Sequence, residues 1–246
     1  MKTNIENFRN LHDGARITIL GSSPTIKLYE GEEDVAIAVN GASICDVVKE
    51  FGADYFVCGD KNSPSRKWFE ESRKTCKSRL VASFIAPYDY EVILNSLERD
   101  IFRDILVENG NHQNHYGGDI RFTPDFQEIA SPHGVFIYAD LWEQEISSDQ
   151  RRFCRGGTIS GVAAQIALVM GAKEIHLYGC SFGRPNGSNV HYAYNNGIET
   201  GGIQHFHPIR MDYILSRLVE EGVRIVSHGF TKLRVPEKIN GLTSPQ

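Results

Sequence analysis

Residues 156–183, GGTISGVAAQIALVMGAKEIHLYGCSFG, constrain the fold more than any other stretch of the chain. Apolar residues recur at Ile159, Val162, Ala163, Ile166 and Met170, which is helical spacing, and Gly171 follows as a stop. Ile175, Leu177 and Gly179 then continue into a short buried strand that ends in a glycine-punctuated loop. Small residues at Ser160, Gly161, Ala163 and Ala164 let the helix begin close to a neighbouring backbone or a ligand. A helix feeding a strand of this kind is the repeating half of an open α/β sheet, and such sheets bind ligands at the carboxyl ends of their strands.

The rest of the chain repeats that alternation. Strands are expected at 16–20, 35–39, 55–58, 80–85 and 223–226. Helices are expected at 44–51, stopped by Gly52, at 64–76, and at 211–218 with Gly222 as the stop. Strands alternating with helices imply βαβ units and a mostly parallel sheet. The reading is a single Rossmann-like α/β domain spanning 1–246. Residues 87–150 carry a helical pattern at 93–107, a Gly/Asn-rich loop at 109–118 and a strand pattern at 135–138. They read as a lid-like insertion, and an ordinary surface excursion fits them as well. Residues 184–202 form another polar loop, and 234–246 read as a loose, polar, proline-bearing tail.

With 246 residues the chain can bury one full core. A net charge of -5 argues against a general nucleic-acid binder. The five cysteines include no CxxC pair, so neither a disulfide framework nor a zinc site is expected, and a reducing cytoplasm fits. No apolar run is long enough for a membrane span, and the first residues are polar rather than signal-like. Peripheral membrane contact and assembly into a homo-oligomer are both left open by the sequence.

Candidate site residues gather at the predicted strand ends. Gly21, Ser22, Ser23, Pro24 and Thr25 follow the first strand, where exposed amides and hydroxyls can cradle a phosphate. The loop is neither a GxGxxG fingerprint nor a Walker A loop, and a plain turn explains it equally well. Asn40 and Gly41 end the second strand, Asp60 the third, and Ser181 follows Gly179. Asn40 can offer both donor and acceptor to a base or ribose, and Asp60 can meet a ribose hydroxyl or a metal; helix capping is the plain alternative for each. His207 precedes Pro208 and falls near the N-cap of the last helix, where the helix dipole favours neutral imidazole, the form a general base needs. Tyr192 and Tyr194 can hydrogen-bond a departing phosphate, or simply pack a loop. Arg151, Arg152 and Arg155 read as a solvated charge run that can also meet an anion. His112 and His115 lack carboxylates at ligand spacing, and no metal site is assigned.

These elements, in this order, resemble a family. GSSPT after the first strand is similar to the GxGPS loop of bacterial family 42 sialyltransferases. Their superfamily includes the DUF115 proteins, the motility-associated nonulosonic acid transferases and the MptE-like 6-hydroxymethylpterin diphosphokinases. TISGVAAQIALVMGAKEIHLYGCSF resembles their TSG-helix-strand segment, and HPIRMDYILSRL followed by VRIV resembles their histidine-bearing final helix and strand. The resemblance runs from about Arg16 to Val226 and is most specific over 156–181. It implies that Gly21 to Thr25, Asn40, Ser160 and Gly161 line a nucleotide site, that Tyr192 supports the leaving phosphate, and that His207 is the general base. It implies transfer of a sialic or related nonulosonic acid from a CMP-activated donor to a glycan hydroxyl, with no metal required. The chain departs from the pattern at Ser23 (glycine in the family), Thr25 (serine), Ser181 (aspartate), Gly183 (often tyrosine) and Gly157 (arginine). Two other functions stay open: a pterin diphosphokinase using ATP and Mg²⁺, for which Asp60 is available, and a nucleotide-binding module without catalysis.

Overall fold

The computed structural model describes residues 2–3, 9–31, 34–58, 76–82, 105–106, 158–183 and 206–239. Nine strands are described: β1 (Lys2–Thr3), β2 (Arg16–Leu20), β3 (Val35–Val39), β4 (Ala53–Cys58), β5 (Cys76–Ala82), β6 (Ile105–Leu106), β7 (Glu174–Tyr178), β8 (Arg224–His228) and β9 (Glu237–Ile239). They form one sheet in the order β1-β6-β5-β4-β3-β2-β7-β8-β9. Every pairing among them is parallel. The mostly parallel α/β fold read from the alternating pattern is the observed one.

The period of two along the strands sorts the sheet into two faces. Ile17 and Ile19 of β2, Val35, Ile37 and Val39 of β3, Ile175 and Leu177 of β7, and Ile225 of β8 join one buried apolar cluster. Helix α2 (Ile159–Val169) closes that face over β2, β3 and β4, and helix α3 (Phe206–Glu220) packs on α2 and β8. A third helix, α1 (Asp46–Phe51), lies between β3 and β4.

Helix α2 is apolar on nearly all sides because it is buried on nearly all sides. Its start is capped by Thr158, whose Oγ1 accepts from the Ser160 amide at 3.2 Å. Its end turns at Gly171, where φ is +93°. The carbonyls left over there are satisfied from outside the helix: the amides of Asn10, His12 and Gly14 donate to Val169, Met170 and Gly171 at 2.8, 2.8 and 2.9 Å.

Four local expectations change. The helix expected over 44–51 is a 3-10 turn (Asn40–Ile44) followed by α1, because Cys45 between them is extended (φ -66°, ψ 143°). Ile105 and Leu106 pair as a strand with β5 and β1, so the helical pattern at 93–107 does not hold at its end. Cys76 begins β5 rather than ending a helix. The tail is not loose over 234–239: the Asp212 carboxylate accepts from the Arg234 and Val235 amides at 2.8 and 3.1 Å, and β9 then pairs with β8. The remaining expected elements of 64–75 and 87–150, and the loop at 184–202, lie outside the described residues.

Candidate functional site

The strand order reverses at β2 and β7. From β2 the chain steps through β3 and β4 to one side, and from β7 it steps through β8 and β9 to the other. In an open parallel sheet the usual ligand position is outside the carboxyl ends of the strands at such a reversal. The loop at Gly21–Thr25 and the loop at Gly179–Gly183 stand at that point.

The two loops meet backbone to backbone. A Cβ on Gly21 would sit 2.4 Å from the Gly179 carbonyl oxygen, and one on Gly179 (φ +68°) would sit 2.1 Å from the Gly21 oxygen. Only glycine fits either position. Hydrogen bonds then lace the loops together. The Gly21 amide donates to Tyr178 O at 2.7 Å, and the Ser23 amide to Gly179 O at 3.0 Å. The Gly179 amide donates to Thr25 Oγ1 at 3.1 Å, and the Ser181 amide to Ser23 Oγ at 3.3 Å. The loop after β8 joins the same block: Thr231 Oγ1 donates to Cys180 O at 3.0 Å, and the Lys232 amide to Ser181 O at 2.9 Å.

This lacing corrects one expectation. The amides of Gly21 and Ser23, in the loop read as a phosphate cradle, already donate within the protein, as do those of Gly179 and Ser181, and the Ser23 and Thr25 hydroxyls accept two of those bonds. They brace the rim instead of offering themselves to a phosphate. Ser22 and Pro24 are half-buried between them, and Ser181 is buried.

Asn40 stands at the carboxyl end of β3, the neighbour of β2, in the left-handed conformation (φ +44°). Its carbonyl is held by the Ser43 hydroxyl at 3.0 Å, whereas its side-chain Oδ1 is buried with no hydrogen-bond partner. Desolvating an amide oxygen without a bond costs about 1–3 kcal/mol, so this atom is an acceptor waiting for a donor. Gly41 is buried in the turn that follows.

Ser160 and Gly161, expected to line a nucleotide, face inward. The Cys180 thiol donates to Ser160 Oγ at 3.7 Å beneath the rim. A Cβ on Gly161 would meet Ile214 Cδ1 at 2.7 Å, so this glycine lets α2 and α3 approach. Burial pushes the Cys180 thiol up to about 11, with the Ser160 and Gly21 hydrogen bonds opposing, and it is a packing group rather than a nucleophile.

His207 lies in the first turn of α3, one residue inside its start at Phe206, and so near the N-cap. Since α3 leads into the parallel strand β8 through a short turn, its first turn lies toward the end of the sheet where the strands finish. Ser160, at the start of α2, reaches Cys180 at that same end. Asp60 and Tyr192 lie outside the described residues.

A polar row on the opposite face of the sheet is not among the sequence-derived candidates. His176 Nε2 donates to Glu174 Oε1 at 2.6 Å, and His228 Nε2 lies 2.9 Å from His176 Nδ1. The His228 ring stacks on Tyr178 with centroids 4.0 Å apart. The hydrogen bond from His176 holds the Glu174 carboxyl below its ordinary value, burial opposing, with the charges of His176 and Arg224 adding to the lowering. Period-two spacing of Glu174, His176 and Tyr178 was the available signal. Among the described residues, no group of three or more His, Cys, Asp and Glu is placed to hold a metal ion, and no helix is long and apolar enough to cross a membrane.

Comparison with solved structures finds the same fold in a glycosyltransferase. The MAf glycosyltransferase from Magnetospirillum magneticum AMB-1 matches with a TM-score of 0.52 at 15% identity, over 96% of this chain and 37% of that one. The chain therefore spans little more than a third of that structure. The sialyltransferase CstII from Campylobacter jejuni, in complex with the substrate analogue CMP-3FNeuAc, matches with a TM-score of 0.47 at 15% identity, over 87% and 80% of the two chains. The sialyltransferase CST-II with trisaccharide acceptor and CMP gives 0.46 at 13% identity, over 86% and 80%. No family model matches the sequence, and no curated protein matches it.

Proposed function

We propose that this chain is a glycosyltransferase of the sialyltransferase-like, DUF115-related kind. It takes a CMP-activated sialic or related nonulosonic acid as donor and a glycan hydroxyl as acceptor. The observation that carries the reading is the unpartnered Asn40 Oδ1 at the end of β3, one strand from the reversal of strand order at β2 and β7, an acceptor suited to an amino group or ribose hydroxyl of a nucleotide. The fold shared with a glycosyltransferase and the sequence resemblance support it.

In this reading the bond from the anomeric carbon to the phosphate oxygen breaks and its electron pair leaves with CMP. The acceptor oxygen bonds that carbon and gives its proton to His207. Tyr192 hydrogen-bonds the departing phosphate, and Asp60 meets the ribose. No metal enters these steps.

A thermal-shift screen tests it, with CMP, CDP, UDP, GDP and ATP, each with and without Mg²⁺. A nucleotide that binds only the native state stabilises it by about 2.7 kcal/mol at a hundred times its Kd. A shift with CMP that is independent of Mg²⁺ is expected. A shift confined to ATP with Mg²⁺ would transfer the case to the diphosphokinase. His207→Ala should lower turnover roughly 100- to 10,000-fold while leaving CMP affinity nearly intact; unchanged turnover would remove His207 from the reaction.

A further inference from the structure

The braced rim poses a question of charge. Four amides at the loops after β2 and β7 are spent on internal hydrogen bonds, so they do not neutralise an anion at these strand ends. We infer that Lys232, in the loop after β8, is the anion-binding cation of this site, seated over the bare backbone of Gly183 to hold an oxyanion of the donor. This rests on the nucleotide-sugar reading and deepens it.

The Lys232 backbone is fixed while its side chain is exposed. Its amide donates to Ser181 O at 2.9 Å, and Thr231 before it and Leu233 after it are both buried. Thr231 Oγ1 donates to Cys180 O and accepts from the Leu233 amide at 3.2 Å. Thr231 and Lys232 thus clamp this loop onto the one after β7, and the Leu233 amide braces the Thr231 hydroxyl. The ammonium lies across Gly183: a Cβ there would sit 2.7 Å from both Lys232 Cε and Nζ. Any side chain at 183 would push the charge away from the rim. The turn is conformationally costly at Phe182, with φ +54°, whereas Gly183 takes its φ of +135° without strain. Among the described residues, no carboxylate pairs with Lys232. Position 183 is where the resembling family often carries tyrosine. Gly183 carries no side chain, and Lys232 from another loop lies across it.

Two oxyanions of the proposed donor fit this chemistry, the nucleotide phosphate and the sugar carboxylate. Calorimetric titration of the full chain with cytidine, CMP and CMP-sialic acid separates them, using Lys232→Gln and Lys232→Arg. Lys232→Gln should weaken CMP about tenfold, the loss of one charged hydrogen bond. It should leave cytidine affinity unchanged and, because the side chain is exposed, leave the melting temperature of the free protein unchanged. Lys232→Arg should retain most of the affinity. If CMP is unaffected and CMP-sialic acid alone weakens, the cation holds the carboxylate and the inference stands. An equal loss for cytidine and CMP, or no loss for any anionic ligand, overturns it. If the wild-type chain binds no nucleotide, the reading of the previous section fails, and inorganic pyrophosphate decides this one. Thermal protection by pyrophosphate that Lys232→Gln abolishes supports the anion site, and no protection of the wild type overturns it.

Discussion

Strand β7 begins and ends in opposite kinds of contact. At its start, Glu174 accepts from His176 at 2.6 Å and from Arg224 Nη1 at 3.0 Å, and Arg224 also reaches Glu237 Oε2 at 2.7 Å. Arg224 and Glu237 are long, solvent-facing side chains that exchange partners easily, and Glu174 is partly exposed beside the buried His176. Just past its end, Gly179 lies against Gly21 so closely that neither accepts a single added carbon. Tolerance is placed at the amino end of the strand and rigidity at the carboxyl end, the end at which open parallel sheets take their ligands. A ligand site needs its framework fixed to a fraction of an ångström, whereas a sheet edge needs only to stay paired. The comparison therefore predicts that substitutions grow cheaper from the rim toward the start of β7.

The largest effect is expected at Gly179. An alanine there adds a Cβ 2.1 Å from a backbone oxygen at a φ of +68°, and neither neighbour is a side chain that can rotate away. Overpacking and left-handed strain together should cost about 3 kcal/mol or more, read as a fall in the urea midpoint. A loss under about 1 kcal/mol would show that the two loops can part, and the rigid rim would be lost as an explanation. Thr25→Val comes next. It keeps the shape but removes the acceptor of the Gly179 amide, leaving a donor unmet at a cost of about 1–2 kcal/mol. Thr25→Ser, which keeps the hydroxyl, should recover most of that stability. If serine and valine behave alike, packing rather than the hydrogen bond holds the loop.

The same contrast explains what the residues alone disclosed. Alternation of apolar runs and glycine stops was enough for the parallel sheet, because burial on both faces leaves β3 a continuous apolar run, VAIAV. It also marked Gly21, Asn40 and Ser181 as strand-end residues. It did not tell a glycine kept for a close backbone approach from one kept for helix packing: Gly21 and Gly161 look alike in sequence, and only their neighbours, the Gly179 carbonyl and Ile214 Cδ1, separate them. Nor did it reveal that Ser23 and Thr25 would turn inward, since a hydroxyl can satisfy its own loop as readily as a phosphate. The edge strand β9 was illegible for a related reason. Glu237, Lys238 and Ile239 are all exposed, so no buried face imposes a pattern, and the pairing depends on Asp212 of α3 fastening the two preceding amides.

The smallest effect is expected at the tolerant end, and it depends on pH. The Glu174 carboxyl is held below its ordinary value, foremost by the hydrogen bond from His176. A carboxyl lowered in the folded state adds stability that is present above its unfolded pKa and disappears as pH falls through the folded one. Glu174→Gln removes that contribution. The variant should match the wild type most nearly in strong acid, and the wild type should draw ahead as pH rises past the ordinary carboxylate range. Melting curves of both proteins across the acid range check this. Because Glu174 is partly exposed and its partner Arg224 faces solvent, salt should shrink the gap. A gap larger than that of Thr25→Val, or one that persists in high salt, would mean that both ends of β7 are held with equal rigidity, and the division of labour along the strand would fall.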